Sequence, residues 1–270
     1  MILLDKRILP HKNLIPIFVP DDNDRAKCPT CGMPVRIVRR PGGFADHYEA
    51  LITGEAVDKS LQTQDLETAA KLREQRKGKK TVALVGMAPT SCSLAPFGEE
   101  GVEIWGLNEA HAFSWMKGAD RWFQIHATES WKRYIAKRDV RGHADWLKNN
   151  PFDIPIYLQY YNELVPKSIG YPLHEVVEEV FENFWRGEMK VKYFTSTIAY
   201  MMGIAILEKF ERIEIYGFEM ADDIEYVKQK ACAEFWIGFA MGRGIEVYTP
   251  QNCQILYSAL YGGNEQGAGW

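Results

Sequence analysis

Residues 81–110 read TVALVGMAPTSCSLAPFGEEGVEIWGLNEA, and the fold turns on them. Thr81 to Val85 is a short apolar run rich in β-branched residues, followed directly by the small, turn-forming and hydroxyl residues Gly86-Met87-Ala88-Pro89-Thr90-Ser91. That order predicts a buried strand emptying into a tight loop. A second apolar run, Val102 to Leu107, ends at Asn108-Glu109. Two strands that each deliver small or polar residues at their carboxyl ends are how an open α/β sheet makes a ligand crevice.

Downstream the same rhythm continues. Arg121 to Ile125 reads as a third strand ending at His126, Trp131 to Ile135 as helical, and Ile154 to Leu158 as a fourth apolar run. Leu173 to Trp185 carries Val176, Val177, Val180, Phe181 and Phe184 at the spacing of one helix face. Thr195 to Leu207 is a strongly apolar helix whose opening Thr195-Ser196-Thr197 can cap its start. Arg212 to Tyr216 is a strand running into Gly217-Phe218-Glu219-Met220, a helix over Ala231–Met241 stops at Gly242, and Ile245 to Tyr248 supplies a last strand. Strand, helix, strand in this order predicts a parallel sheet with right-handed crossovers, a Rossmann-like α/β domain over residues 81–260. Residues 261–270 read as a flexible tail.

Upstream the texture changes. Six prolines between Pro10 and Pro41 punctuate short apolar pieces, which predicts a small β-rich appendage over residues 1–55. It carries the knuckle Cys28-Pro29-Thr30-Cys31-Gly32, half of a structural zinc site, with His47 as a candidate further ligand; a metal-free turn with small buried cysteines is the competing reading. Residues 56–80, rich in Glu, Gln, Lys and Arg, read as a solvated connecting helix ending at Gly78.

At 270 residues and 46% hydrophobic content the chain can bury a proper core. With 32 Lys+Arg against 36 Asp+Glu the net charge of -4 supplies no field to favour a nucleic acid partner. Five scattered cysteines do not make a disulfide framework, and no membrane span or signal segment stands out, so a cytoplasmic protein is expected.

The loop from Gly86 to Ser91 can cradle phosphate, because Gly and Ala let backbone N–H groups approach an anion, although it matches neither common glycine-rich nucleotide fingerprint. Asn108 presents both donor and acceptor at its strand end, and Ser196 stands where helix N–H groups are exposed. Glu219, Asp222, Asp223 and Glu225 form an acidic cluster, a place for Mg²⁺ or Mn²⁺ held by Glu219 and Asp223, or simply an acidic surface loop. His126, after a strand, is the candidate general base.

Residues 195–220, TSTIAYMMGIAILEKFERIEIYGFEM, resemble the "TSG, long apolar helix, I-x-L-x-G-[IF]-D" segment of bacterial CMP-sialic acid-dependent sialyltransferases and of archaeal 6-hydroxymethylpterin diphosphokinase-like proteins. Gly86 to Ser91 is similar to their G-x-G-P-S loop, Leu107-Asn108 to a strand end bearing a nucleotide-binding Asn, and Ile245 to Pro250 to their final strand. The resemblance implies nucleotide contacts from Ala88, Ser91, Asn108 and Ser196, beside Gly86 of the same loop, with Tyr226 supporting the leaving phosphate. Two departures stand out: the family's Asp is Glu219 here, and residues 221–244 hold no histidine where the sialyltransferases carry their catalytic one. The expectation is a transferase moving a glycosyl or diphosphate group from a nucleotide or nucleotide-sugar to an acceptor. Its alternative is a non-catalytic nucleotide-binding sensor, sponge or assembly module whose appendage engages a protein partner.

Overall fold

The computed structural model describes residues 25–27, 34–38, 47–50, 66–127, 142–220, 224–251, 253 and 255–256. Three short strands, β1 (Arg25–Lys27), β2 (Pro34–Val38) and β3 (His47–Ala50), form an antiparallel sheet in that order, the β-rich appendage expected from the proline-punctuated start. Helix α1 (Leu66–Arg76) follows, and then the main sheet begins.

That sheet has seven strands in the order β12-β11-β4-β5-β6-β7-β8, every neighbouring pair parallel. The chain lays down β4 (Thr81–Val85), β5 (Val102–Leu107), β6 (Arg121–Gln124), β7 (Ile156–Leu158) and β8 (Ser168–Gly170) in one direction. It then returns to the other side of β4 with β11 (Arg212–Tyr216) and β12 (Glu246–Tyr248). The reversal between β4 and β11 is where connections leave the sheet in opposite directions and open a crevice beyond the carboxyl ends.

Both faces of the sheet are covered, which is why β4 reads as an unbroken apolar run. On one face Val82, Leu84, Trp105, Leu107, Phe123, Ile213 and Ile215 pack under α4 (Thr197–Leu207) and α5 (Ile224–Gly242). On the other, Ala83, Val85, Ile104, Trp122, Ile156 and Tyr216 pack against Cys92, Phe113, Trp115 and Leu147, the last from α2 (His143–Asn149). Helix α4 has no charged residue and buries eight of its eleven. Among the described residues no helix is long and apolar enough to cross a membrane.

Some expectations shift. The helix read over Leu173 to Trp185 is shorter: α3 (Leu173–Glu175) passes into a wider turn at Val176–Val180, which seats Val176, Val177 and Val180 in the core, and the chain leaves it at Phe181. Trp185 belongs instead to a small hairpin, β9 (Trp185–Arg186) with β10 (Met189–Lys190). Helix α5 starts earlier than Ala231, at Ile224. Strand β8 carries no apolar run and owes its place to pairing with β7. The segment expected to be helical at residues 131–135 lies outside the described residues.

Helix α1 is exposed over most of its surface, yet Leu72 and Arg76 are buried. Arg76 donates from Nε and Nη2 to the Glu214 carboxylate at 2.9 and 2.7 Å, and Glu214, in the middle of β11, is fully buried. Arg212 Nε and Tyr216 Oη complete the shell around that carboxylate at 2.7 and 2.6 Å. A buried charge needs such a shell, because removing it from water is costly unless it is paired and hydrogen-bonded.

Candidate functional site

Register places the site. Tyr216 pairs with Val85 and Leu84 with Trp105, so Gly217 and Gly86, one step past β11 and β4, stand level with Leu107, the last residue of β5. Leu107 pairs with Phe123, so Asn108 and Gln124 stand level in the next row, on strands about 4.8 Å apart. Helix α4 joins this edge from above. It spans about 16 Å, as does β11, and the link between them lies at the amino edge, where Glu211 N–H donates to Lys80 O. Ser196, at the start of α4, therefore sits at the carboxyl edge with Gly86 and Asn108.

The floor is two glycine turns in backbone contact. Gly86 N–H donates to Tyr216 O at 2.7 Å, Ala88 N–H to Gly217 O at 2.8 Å, and Gly217 N–H to Ser91 Oγ at 2.8 Å. A Cβ on Gly86 would run into the Gly217 carbonyl; one on Gly217, where φ is +70°, would lie 2.7 Å from Gly86 O. Only glycine fits at either position. This corrects the expected phosphate cradle: the amides of Gly86 and Ala88 are engaged with β11 and its turn, and Ser91 is fully buried as a structural acceptor.

Asn108 is held in the left-handed region at φ +47°, which Asn tolerates better than most residues. The Trp122 indole lies across Gly106, where a side chain would collide with it, and donates from Nε1 to Asn108 O at 3.1 Å. At the start of α4 the expected side-chain cap is not made: Ser196 Oγ bonds no amide, and Thr195 Oγ1 donates to Lys228 O instead.

Among the described residues, four buried side-chain oxygens have no hydrogen-bond partner: Thr90 Oγ1, Asn108 Oδ1, Ser196 Oγ and Glu219 Oε1. They come from four separate segments, the turns after β4, β5 and β11 and the start of α4, and the topology gathers all four at the carboxyl edge. Buried polar atoms are nearly always bonded, and each unmet one costs about 1–3 kcal/mol. Burial pushes the Glu219 carboxyl up to about 7, with the Thr90 backbone N–H pulling the other way. The neighbouring Cys92 thiol is pushed up by burial to about 12.

His126 is exposed beyond the end of β6, its Nδ1 3.3 Å from Gln124 Nε2. Gln124 Oε1 is 3.0 Å from His143 Nε2, and His143 Nδ1 is 2.8 Å from His111 Nε2. His111 stacks on Trp146 with ring centroids 4.4 Å apart. Turning the Gln124 amide and moving the His143 and His111 imidazoles to their other tautomer leaves every pair in this chain satisfied. His126 can thus present either an N–H or a lone pair at its outer nitrogen.

Thr90, His111 and His143 were not singled out in the sequence. Thr90 lay inside the quoted turn, and His111 stands three residues beyond Asn108; no local pattern tied His143 to either. Asp223, the Tyr226 side chain, Cys28 and Cys31 lie outside the described residues, and only the backbone of His47 is described. Among the described residues no group of three or more His, Cys, Asp or Glu side chains is placed to hold a metal ion. A shallow cleft at the opposite, amino edge is lined by Lys79, Lys209, Glu211, Arg243 and Glu246, and it contains none of the unpartnered atoms.

No protein-family model matches the sequence, and no curated protein matches it. Solved structures of Campylobacter jejuni sialyltransferases are similar in chain course. The monofunctional α-2,3-sialyltransferase Cst-I has 14% identity and a TM-score of 0.45, over 68% of this chain and 84% of that one. CstII in complex with cytidine-5'-monophosphate has 15% identity and a TM-score of 0.42, over 68% of this chain and 83% of that one. CstII with the substrate analogue CMP-3FNeuAc has 13% identity and a TM-score of 0.40, over 63% and 80% respectively.

Proposed function

We propose that the chain is a nucleotide-sugar-dependent transferase that moves a glycosyl group onto a hydroxyl acceptor at the β4–β11 crevice. The observation that carries this reading is the gathering of four unpartnered buried oxygens at the topological switch point of a parallel sheet. The resemblance of the Gly86 to Ser91 loop, Leu107-Asn108, residues 195–220 and Ile245 to Pro250 to CMP-sialic acid-dependent sialyltransferases supports the same reading.

In this reading Asn108 and Thr90 hold the nucleotide, and the phosphate lies at the start of α4, where Ser196 and the first amides face it with the positive end of the helix dipole. The acceptor oxygen bonds to the anomeric carbon as the bond from that carbon to the nucleotide phosphate breaks, its electron pair leaving with the phosphate oxygen. His126, with Nδ1 protonated and Gln124 turned to accept from it, takes the hydroxyl proton at its outer nitrogen.

A thermal-shift panel of CMP, CDP, UDP, ATP and NAD tests the site, followed by donor turnover with CMP- and UDP-sugars. Stabilisation by a cytidine or uridine nucleotide, reduced by Asn108→Ala, together with release of that nucleotide from its sugar donor, is the expected result. Stabilisation without turnover of any donor would refute the transferase and leave a binding module.

A further inference from the structure

The four unpartnered oxygens differ in what they can accept. Ser196 and Thr90 carry hydroxyls, which donate or accept, whereas Asn108 Oδ1 and Glu219 Oε1 only accept unless the carboxyl is protonated. Around Glu219 the other groups are also poor company for an anion. Its carboxylate takes the Thr90 backbone N–H, the Cys92 and Cys253 thiols lie close by, and Cys253 Sγ donates to Phe218 O at 3.1 Å. No Lys or Arg among the described residues pairs with Glu219 in a salt bridge. A phosphate set against the ionised Glu219 carboxylate, the form that prevails above about pH 7, would place acceptor against acceptor in a half-buried site, a repulsion that grows as water is excluded. The N-terminus of α4 has the opposite character: its first amides are donors and its capping hydroxyl is unused.

We infer that the crevice fixes the direction of its ligand, with a hydrogen-bond donor of the nucleoside, a ribose hydroxyl or a base amine, on Glu219 Oε1 and the phosphate at Ser196. The inference rests on the nucleotide reading above. It assigns Glu219 to donor recognition rather than to a bridging cation, and it moves the phosphate away from the Gly86 turn. A buried acceptor left unmet in the free protein discriminates strongly, because a ligand lacking the matching donor leaves that cost in place.

Calorimetric titration in EDTA tests this with CMP, 2',3'-dideoxy-CMP, UMP and cytidine, on the wild type and on Glu219→Leu, Glu219→Gln and Ser196→Ala. In the wild type, either the dideoxy compound (a ribose donor) or UMP (a base-amine donor) is expected to bind about tenfold or more weakly than CMP. Glu219→Leu should weaken CMP by a similar factor and abolish that preference, while Glu219→Gln, which keeps an acceptor oxygen, retains part of it. Ser196→Ala should weaken CMP and leave cytidine unchanged. Equal binding of all three nucleotides by the wild type, or unchanged CMP affinity in Glu219→Leu, would overturn the assignment while the nucleotide site stands. So would CMP binding that needs Mg²⁺ in the wild type but not in Glu219→Gln. If no nucleotide binds the wild type either in EDTA or with added Mg²⁺, the site itself is refuted along with the inference.

Discussion

Replacing Glu214 by Gln keeps the shape of the side chain and removes the charge on which three donors converge. In the native protein that carboxylate receives Arg76, Arg212 and Tyr216, and it has no exposure to solvent. Breaking a buried pair by removing one partner costs about 3–5 kcal/mol. The lower end applies here, because Arg76 retains Glu99 at 2.7 Å and Arg212 retains Glu246 at 2.8 Å. A loss of about 3 kcal/mol corresponds to a fall of roughly 6–12 °C in Tm for a domain of this size. Far-UV circular dichroism melts of the full chain, with Arg76→Met and the double variant, complete the cycle; the double variant is expected to recover part of the loss, since it removes both charges. A Tm fall under about 2 °C for Glu214→Gln, or strictly additive effects, would refute the reasoning. The same carboxylate sets an acid limit. Burial raises its proton affinity, but the hydrogen bonds from Arg76, Tyr216 and Arg212 outweigh that and hold it below its ordinary value. A depressed carboxyl contributes stability that is present above its unfolded value of 4.5 and lost as pH falls through the folded value, so Glu214→Gln should flatten acid unfolding below about pH 4.5.

Glu219 has the opposite sign: its folded value is raised from 4.5 to about 7, so stability is expected to decline as pH rises across that window, and urea midpoints of Glu219→Gln should lack the decline. Gly217→Ala places a Cβ 2.7 Å from Gly86 O at a positive φ, and soluble expression with a Tm lowered by less than 2 °C would contradict the close approach. Trp122→Phe removes the donor to Asn108 O, an expected loss of about 1 kcal/mol in denaturant melts together with a smaller nucleotide-induced thermal shift; an unchanged shift would mean that Asn108 does not depend on the indole.

Much of the sheet was legible because its strands are buried on both faces. The runs at Thr81–Val85, Val102–Leu107 and Arg212–Tyr216 coincide with β4, β5 and β11, since a parallel strand under two layers is mainly apolar, the buried Arg212 and Glu214 of β11 being paired with each other. Strand β8 was not legible, because Ser168–Gly170 gains its identity from its neighbour. The crevice was partly legible: small and polar residues after strand ends marked Gly86, Asn108 and Glu219. What each does was less so, since hydrogen bonds spanning more than a hundred positions, such as Gly217 N–H to Ser91 Oγ, decide which amides are taken. The Arg76–Glu214 pair, 138 positions apart, hid in a segment that reads as an ordinary polar helix. The histidine chain was hidden for the same reason, because Gln124 and His143 meet only through tertiary packing.

The paired glycine turns have a consequence for how this scaffold can change. Two main-chain hydrogen bonds and one to the Ser91 hydroxyl cross between them, so a mutation that loosens one turn drags on the other, and that half of the cleft is conservative ground for evolution. Asn108, Gln124 and Ser196 each stand at the end or the start of a different element, and new ligand preferences are most readily acquired by exchanging those three side chains over an unaltered base.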